Sequence, residues 1–134
     1  MAGLTLNGTA AQAGSVLQLT PNLEGQSGTT WRTVKAHVSD GFDTTFTFRM
    51  ATNGADGMAF VIQDSAHDVI GNGGSGLAYQ DIGWSLAVEI DTFGFFPETE
   101  NHISVQTRGV TPNSAEDLYS LAQYNVYTFN QDLN

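Results

Sequence analysis

The stretch LAVEIDTFGFFPETEN, residues 86–101, runs directly into His102, and its reading decides the fold. Leu86, Val88 and Ile90 alternate with Ala87, Glu89 and Asp91, the period of two that sends successive side chains to opposite faces of a β-strand. Glu89 and Asp91 therefore point the same way, about 7 Å apart along the strand. A charge inside an otherwise apolar run is costly to bury unless something pairs with it. The next segment, HISVQT (102–107), repeats the pattern with Ile103 and Val105 on one side and His102 and Ser104 on the other. Antiparallel pairing of the two strands would bring His102 to the surface that carries the two carboxylates. Two carboxylates and an imidazole beside a loop of oxygen donors (Glu98, Thr99, Glu100, Asn101) have the chemistry of a divalent-cation site. The competing reading is a solvated strand face, the commoner source of such alternation.

Outward from this stretch the strand signals continue. SVLQLT (15–20) and TTFTFRM (44–50) alternate, the latter with Phe46, Phe48 and Met50 on one side. MAFVIQ (58–63) is continuously apolar, as in a strand buried on both faces or in a sandwich core, and YNVYTF (124–129) predicts a last strand. Between them lie Gly, Asn, Asp and Pro clusters, above all GNGGSG (71–76). Only SAEDLYSLAQ (114–123) hints at a helical turn, with Ser114 as its cap and Asp117 three residues later, and a polar loop fits it equally well. The expectation is a single all-β sandwich domain over residues 1–134, without repeats or an internal boundary.

Composition excludes several classes of partner. Four Lys and Arg against 14 Asp and Glu give a formal net charge of -10, which repels a nucleic-acid backbone and an anionic membrane surface. No apolar run is long enough to span a bilayer. The absence of cysteine removes disulfides and thiolate metal sites without fixing the compartment. The opening MAGLTLNG lacks the basic and apolar regions of a secretion signal, so an extracellular location would require that signal to have been removed. His37 and His67 read as surface residues, and Trp31 and Trp84 as core or rim packing.

Two further features sit before and after the MAFVIQ segment. In NGADGMAF (53–60), Asp56 precedes Gly57; "DG" by itself is a turn signal. The glycine loop offers backbone amides to a ligand oxygen, but no Gly-Lys-Ser/Thr follows, which speaks against a phosphate-binding loop.

Taken in order, VLQLTPN, QSGTTW, FDTTFTFRM, GADGMAFVIQ, GLAY, LAVEIDTF and NHISVQTRG resemble the legume-type (L-type) lectin domain, a concanavalin-A-like jelly-roll β-sandwich, and most nearly its bacterial members. The resemblance implies a carbohydrate-binding module and not an enzyme. It implies that Asp56 follows a cis peptide and accepts hydrogen bonds from sugar hydroxyls, with an amide within Gly74, Ser75 and Gly76 donating to the same sugar. It further implies Ca2+ and a transition metal such as Mn2+. Glu89 and His102 would lie on the transition metal, Asp91 would bridge to calcium, and the Phe93 carbonyl would bind calcium. The metals would not react but would preorganise the loops.

The chain departs from the family pattern after DTF. Phe95 stands near the expected asparagine, no aspartate precedes His102, and the 11 residues from Asp91 to His102 make a shorter loop. Glu98, Glu100 and Asn101 are the available substitutes, Asn101 for the sugar as well. The departure raises the main alternative, a structural or adhesive sandwich that has lost metal and sugar. A glycoside hydrolase of the same fold is a weaker one, because Phe93 and Gly94 occupy the place of the extra strand glutamate it needs. The chain is also shorter than family domains, and the resemblance implies absent C-terminal strands, open sheet edges and a possible homodimer. The partner expected is an extracellular glycan or glycoconjugate, of mannose/glucose or galactose type.

Overall fold

The computed structural model describes residues 2–50, 54–94 and 101–126. Its strands are β1 (Leu4–Gly8), β2 (Ala11–Ala13), β3 (Val16–Gln18), β4 (Gly28–Arg32), β5 (Gly57–Gln63), β6 (Ser85–Asp91), β7 (His102–Thr107) and β8 (Ser120–Asn125). Two 3₁₀ turns, Gly74–Gly76 and Asp117–Tyr119, are the helical elements among the described residues. The architecture is all-β, as the alternation predicts.

β1 pairs with β4 and β2 with β3, while β5, β6, β7 and β8 form a four-stranded antiparallel meander. The register of the meander sets Asp91 opposite His102, Glu89 opposite Ser104 and Ala87 opposite Gln106. On the other side of β6, Glu89 faces Ala59 and Asp91 faces Gly57. Because neighbours across a ladder share a face, one surface carries Ala59, Val61, Ala87, Glu89, Asp91, His102, Ser104 and Gln106. The opposite surface carries Met58, Phe60, Ile62, Leu86, Val88, Ile90, Ile103 and Val105.

The surface that holds the charges is the more deeply buried of the two. Along β6 and β7 its residues are buried throughout, whereas Leu86, Val88, Ile90, Ile103 and Val105 keep partial exposure. The segment between the Gly74–Gly76 turn and β6 covers the charged surface: Tyr79 and Ile82 join Ala87 in the core, with Trp31, Ala59, Val61, Val69, Leu77 and Ala115 packed around them. Phe46 stacks on Phe60 of the other surface at 5.6 Å between ring centroids and leaves the rest of it partly open.

Four local expectations are corrected. Residues 44–50 form no strand, because no described segment pairs with their backbone; aromatic packing through Phe46 and Phe48 holds them instead. β5 is half-buried along its whole length and not enclosed on both faces. The helical hint at 114–123 shrinks to the turn Asp117–Tyr119, where the Ser114 hydroxyl accepts the Glu116 N–H at 3.2 Å and the chain then enters β8. The last strand accordingly runs Ser120–Asn125, earlier than the 124–129 expected, and residues 127–129 lie outside the described residues. Trp84 is exposed at the start of β6, while the Trp31 indole donates to the Val69 carbonyl at 2.7 Å. His37 and His67 lie on the surface.

Candidate functional site

The site lies at the Asp91 end of β6, where three segments meet. Thr92, just past β6, donates its N–H to the Asp56 carbonyl at 2.8 Å, and its hydroxyl reaches the Gly54 and Asp56 carbonyls at 3.1 Å each. These bonds fasten the 54–56 turn to the strand that carries the carboxylates. The Ala55–Asp56 peptide is cis. Gly57 follows with φ 150°, and a Cβ there would lie 2.3 Å from the Ile90 carbonyl oxygen, so only glycine lets β5 approach β6 this closely. Asp56 is half-buried, and burial raises its carboxyl above the ordinary value.

The glycine loop faces Asp56. Gly74 has φ 62°, and a Cβ on it would stand 3.8 Å from Asp56 Oδ2. Gly74 and Ser75 are exposed, whereas Gly76 is buried and has given its N–H to the Gly73 carbonyl at 3.2 Å. The loop is braced at its base, where Asn72 pairs with Gln80 and the Asn72 side chain donates to Asp81. A bare backbone edge is thus held opposite the Asp56 carboxyl group.

Glu89, Asp91 and His102 do share one face, as the alternation predicts, and each is buried, with relative exposures of 0%, 6% and 2%. A solvated strand face is thereby excluded. Asp91 Oδ1 accepts the Phe93 N–H at 2.7 Å. Burial is the main force that pushes the Asp91 carboxyl up to about 6; the Phe93 N–H and His102 pull it down, and Glu89 and Asp56 push it further up. Phe93 is exposed, and Asn101 adopts φ 50° with its side-chain oxygen buried and without a hydrogen-bond partner among the described residues. Glu98 and Glu100, the substitutes proposed for the missing family ligands, lie outside the described residues.

Glu89 is surrounded by donors, of which sequence reasoning placed only Ser104 on its face. Tyr79 donates to its Oε1, and Ser104 and Gln106 donate to its Oε2, Gln106 at 3.1 Å. Gln106 also donates to Ser104 at 3.1 Å, and the Tyr79 hydroxyl lies 3.0 Å from the Ser114 carbonyl. Burial, then the charge and hydrogen bond of Glu89, shift the Tyr79 hydroxyl upward, which keeps it a donor. His102 Nε2 lies 3.8 Å from Glu89 Oε2 and 3.5 Å from Asp117 Oδ1. Ser104 and Gln106 were legible as same-face neighbours of His102, but Tyr79 and Asp117 arrive from loops that no periodicity connects to the strand.

Among the described residues, no group of three or more His, Asp or Glu side chains closes on one point as a metal cage. The oxygen set that remains, Asp91, the Phe93 carbonyl and the Asn101 side-chain oxygen, suits a hard cation such as calcium. The partnerless buried Asn101 oxygen is the observation in favour of that fit. No helix among the described residues is long and apolar enough to cross a membrane.

One comparison bears on this geometry. The family model described as the legume lectin domain matches residues 1–131, nearly the whole chain. That family binds carbohydrate and is generally not enzymatic. With the all-β meander, this match shows that the chain belongs to the legume lectin domain family.

Proposed function

We propose that this chain is a single non-catalytic carbohydrate-binding domain, acting on extracellular glycans, whose site is the edge formed by Asp56, the Gly74–Gly76 turn, Phe93 and Asn101. The observation that carries the reading is the opposition of Asp56 and Gly74. Asp56, its backbone carbonyl held by Thr92, turns its carboxyl group to a side-chain-free loop that leaves room for a hydroxyl-bearing ligand. In such a pair the carboxylate accepts from two sugar hydroxyls, and the Gly74 or Ser75 N–H donates to a third oxygen. Exposed Phe93 offers an apolar face to the sugar ring. Buried Gly76 shapes the turn without meeting the ligand.

A calcium-type cation held by Asp91, the Phe93 carbonyl and Asn101 would supply charge neutralisation beside the buried carboxylates. The chain's own residues do the recognition: Asp56 accepts, the loop amides donate, the bonds from Thr92 hold the Asp56 backbone, and the Asn72–Gln80 bridge braces the loop. The test is glycan binding, by array and then calorimetry, of the unaltered chain and Asp56→Ala. Asp56→Ala is expected to lose at least about tenfold in affinity, the cost of hydroxyls left without their charged acceptor, while keeping its fold by circular dichroism. Undiminished binding by a folded Asp56→Ala would overturn the reading.

A further inference from the structure

We propose that the Glu89 end of the buried cluster is closed by the protein's own donors, so that the domain takes no transition metal at Glu89 and His102. The family pattern puts a transition metal between those two side chains, and the donor set in this chain does not fit one. A carboxylate oxygen has two lone pairs for in-plane acceptance. On Glu89 Oε2, the oxygen nearest His102, both are occupied, one by the Ser104 hydroxyl and one by the Gln106 amide. Oε1 is turned the other way, to Tyr79.

These donors are not adventitious neighbours. Ser104 and Gln106 occupy successive same-face positions of β7, with Ser104 directly across the ladder from Glu89. The Gln106 amide gives hydrogen bonds to both Glu89 and Ser104, and its own carbonyl oxygen is buried without a hydrogen-bond partner among the described residues. The side chain is therefore turned toward the carboxylate at the expense of its other end. A metal bound through Oε2 would have to displace at least one of these bonds inside a fully buried setting. The His102 ring does not face Glu89 alone: its Nε2 is nearer to Asp117 Oδ1, a side chain carried in by the Asp117–Tyr119 turn. Glu89 thus has three protein donors and the His102 imidazole lies between two carboxylates, so a metal at this end would have to displace contacts the chain already makes.

The inference rests on the lectin reading only for the position of calcium, and its test needs no sugar. Chelator-treated protein is saturated with calcium and titrated with Mn2+, with free Mn2+ followed by its electron paramagnetic resonance signal and the unfolding midpoint recorded at each step. The expected result is a free-ion signal that rises in proportion to added manganese and a midpoint that moves by less than about 1 °C beyond the calcium value. Saturable uptake of one Mn2+ per chain, lost in Glu89→Gln, would overturn the proposal. Should Glu89→Gln fail to fold, uptake of one Mn2+ by the calcium-saturated unaltered chain overturns it unaided. In a second arm, Gln106→Leu is expected to lower the midpoint by roughly 5 °C or more to the same extent with and without manganese. A midpoint that Gln106→Leu leaves unchanged would also overturn it. Failure of the lectin reading would appear separately, as glycan binding indifferent to Asp56→Ala.

Discussion

The two faces of the β5–β8 sheet reverse the usual order. The face bearing Glu89, Asp91, His102, Ser104 and Gln106 is the buried one, and the face bearing Leu86, Val88, Ile90, Ile103 and Val105 is partly open. A polar surface remains buried here with its central carboxylate fully engaged: Glu89 with Tyr79, Ser104 and Gln106, and beside it Asn113 with the Ser85 hydroxyl at 3.0 Å. Desolvation is offset bond by bond, and each bond depends on a partner of fixed geometry. The apolar face needs no such partners and loses less when one methyl group goes. The lesson is that the polar face is the brittle one.

The largest expected effect comes from emptying the centre of the polar face. Glu89→Ala should cost about 3–5 kcal/mol in urea unfolding, because three buried donors lose their acceptor together and His102 loses a neighbour. A loss near 1 kcal/mol, the size of an ordinary surface truncation, would break the comparison between the faces. Next comes Gln106→Leu, which removes one donor and keeps the volume. About 1.5–3 kcal/mol is expected in the same measurement.

Asp91 sharpens the comparison through pH. Its folded carboxyl keeps a proton up to about pH 6, against an ordinary value of 3.8, so between those values the folded chain binds more protons than the unfolded one. Its stabilising contribution in chelator is therefore complete below about pH 4 and is lost as pH rises through about 6, with a slope of at most about 1.4 kcal/mol per pH unit. Asp91→Asn should flatten that segment of a stability-against-pH curve. Added calcium should reverse the trend above pH 6, where the carboxylate is free to bind it.

The apolar face should respond less. Val105→Ala removes two methyl groups from a half-buried site and is expected to cost about 1 kcal/mol in urea unfolding. A cost above that of Gln106→Leu would reverse the ranking of the faces. Smallest of all is Lys35→Ala, which breaks the exposed ion pair with Asp64 and should stay within about 0.5 kcal/mol.

Much of the site was legible because strand periodicity is local. The alternation of Leu86 to Asp91 and of His102 to Thr107 placed Glu89, Asp91, Ser104 and His102 on one face before any contact was known. The ordered motifs identified the family, which the family model matches over residues 1–131. The misjudged elements were those whose state depends on a distant partner. Residues 44–50 have a strand pattern and no strand beside them, and residues 114–123 split into a turn and β8 because β7 was there to pair with.

By itself the sequence determined the all-β class and the shared face of the two carboxylates and the histidine. Both follow from the period of two, which needs no knowledge of the rest of the chain. Only the tertiary structure decided that this face is buried, that Tyr79 and Asp117 enter it from loops 10 and 28 residues from Glu89, and that Asp56 stands opposite Gly74. Burial and partnership are properties of what packs on a strand, and a strand's own pattern states only which residues will share whatever arrives there.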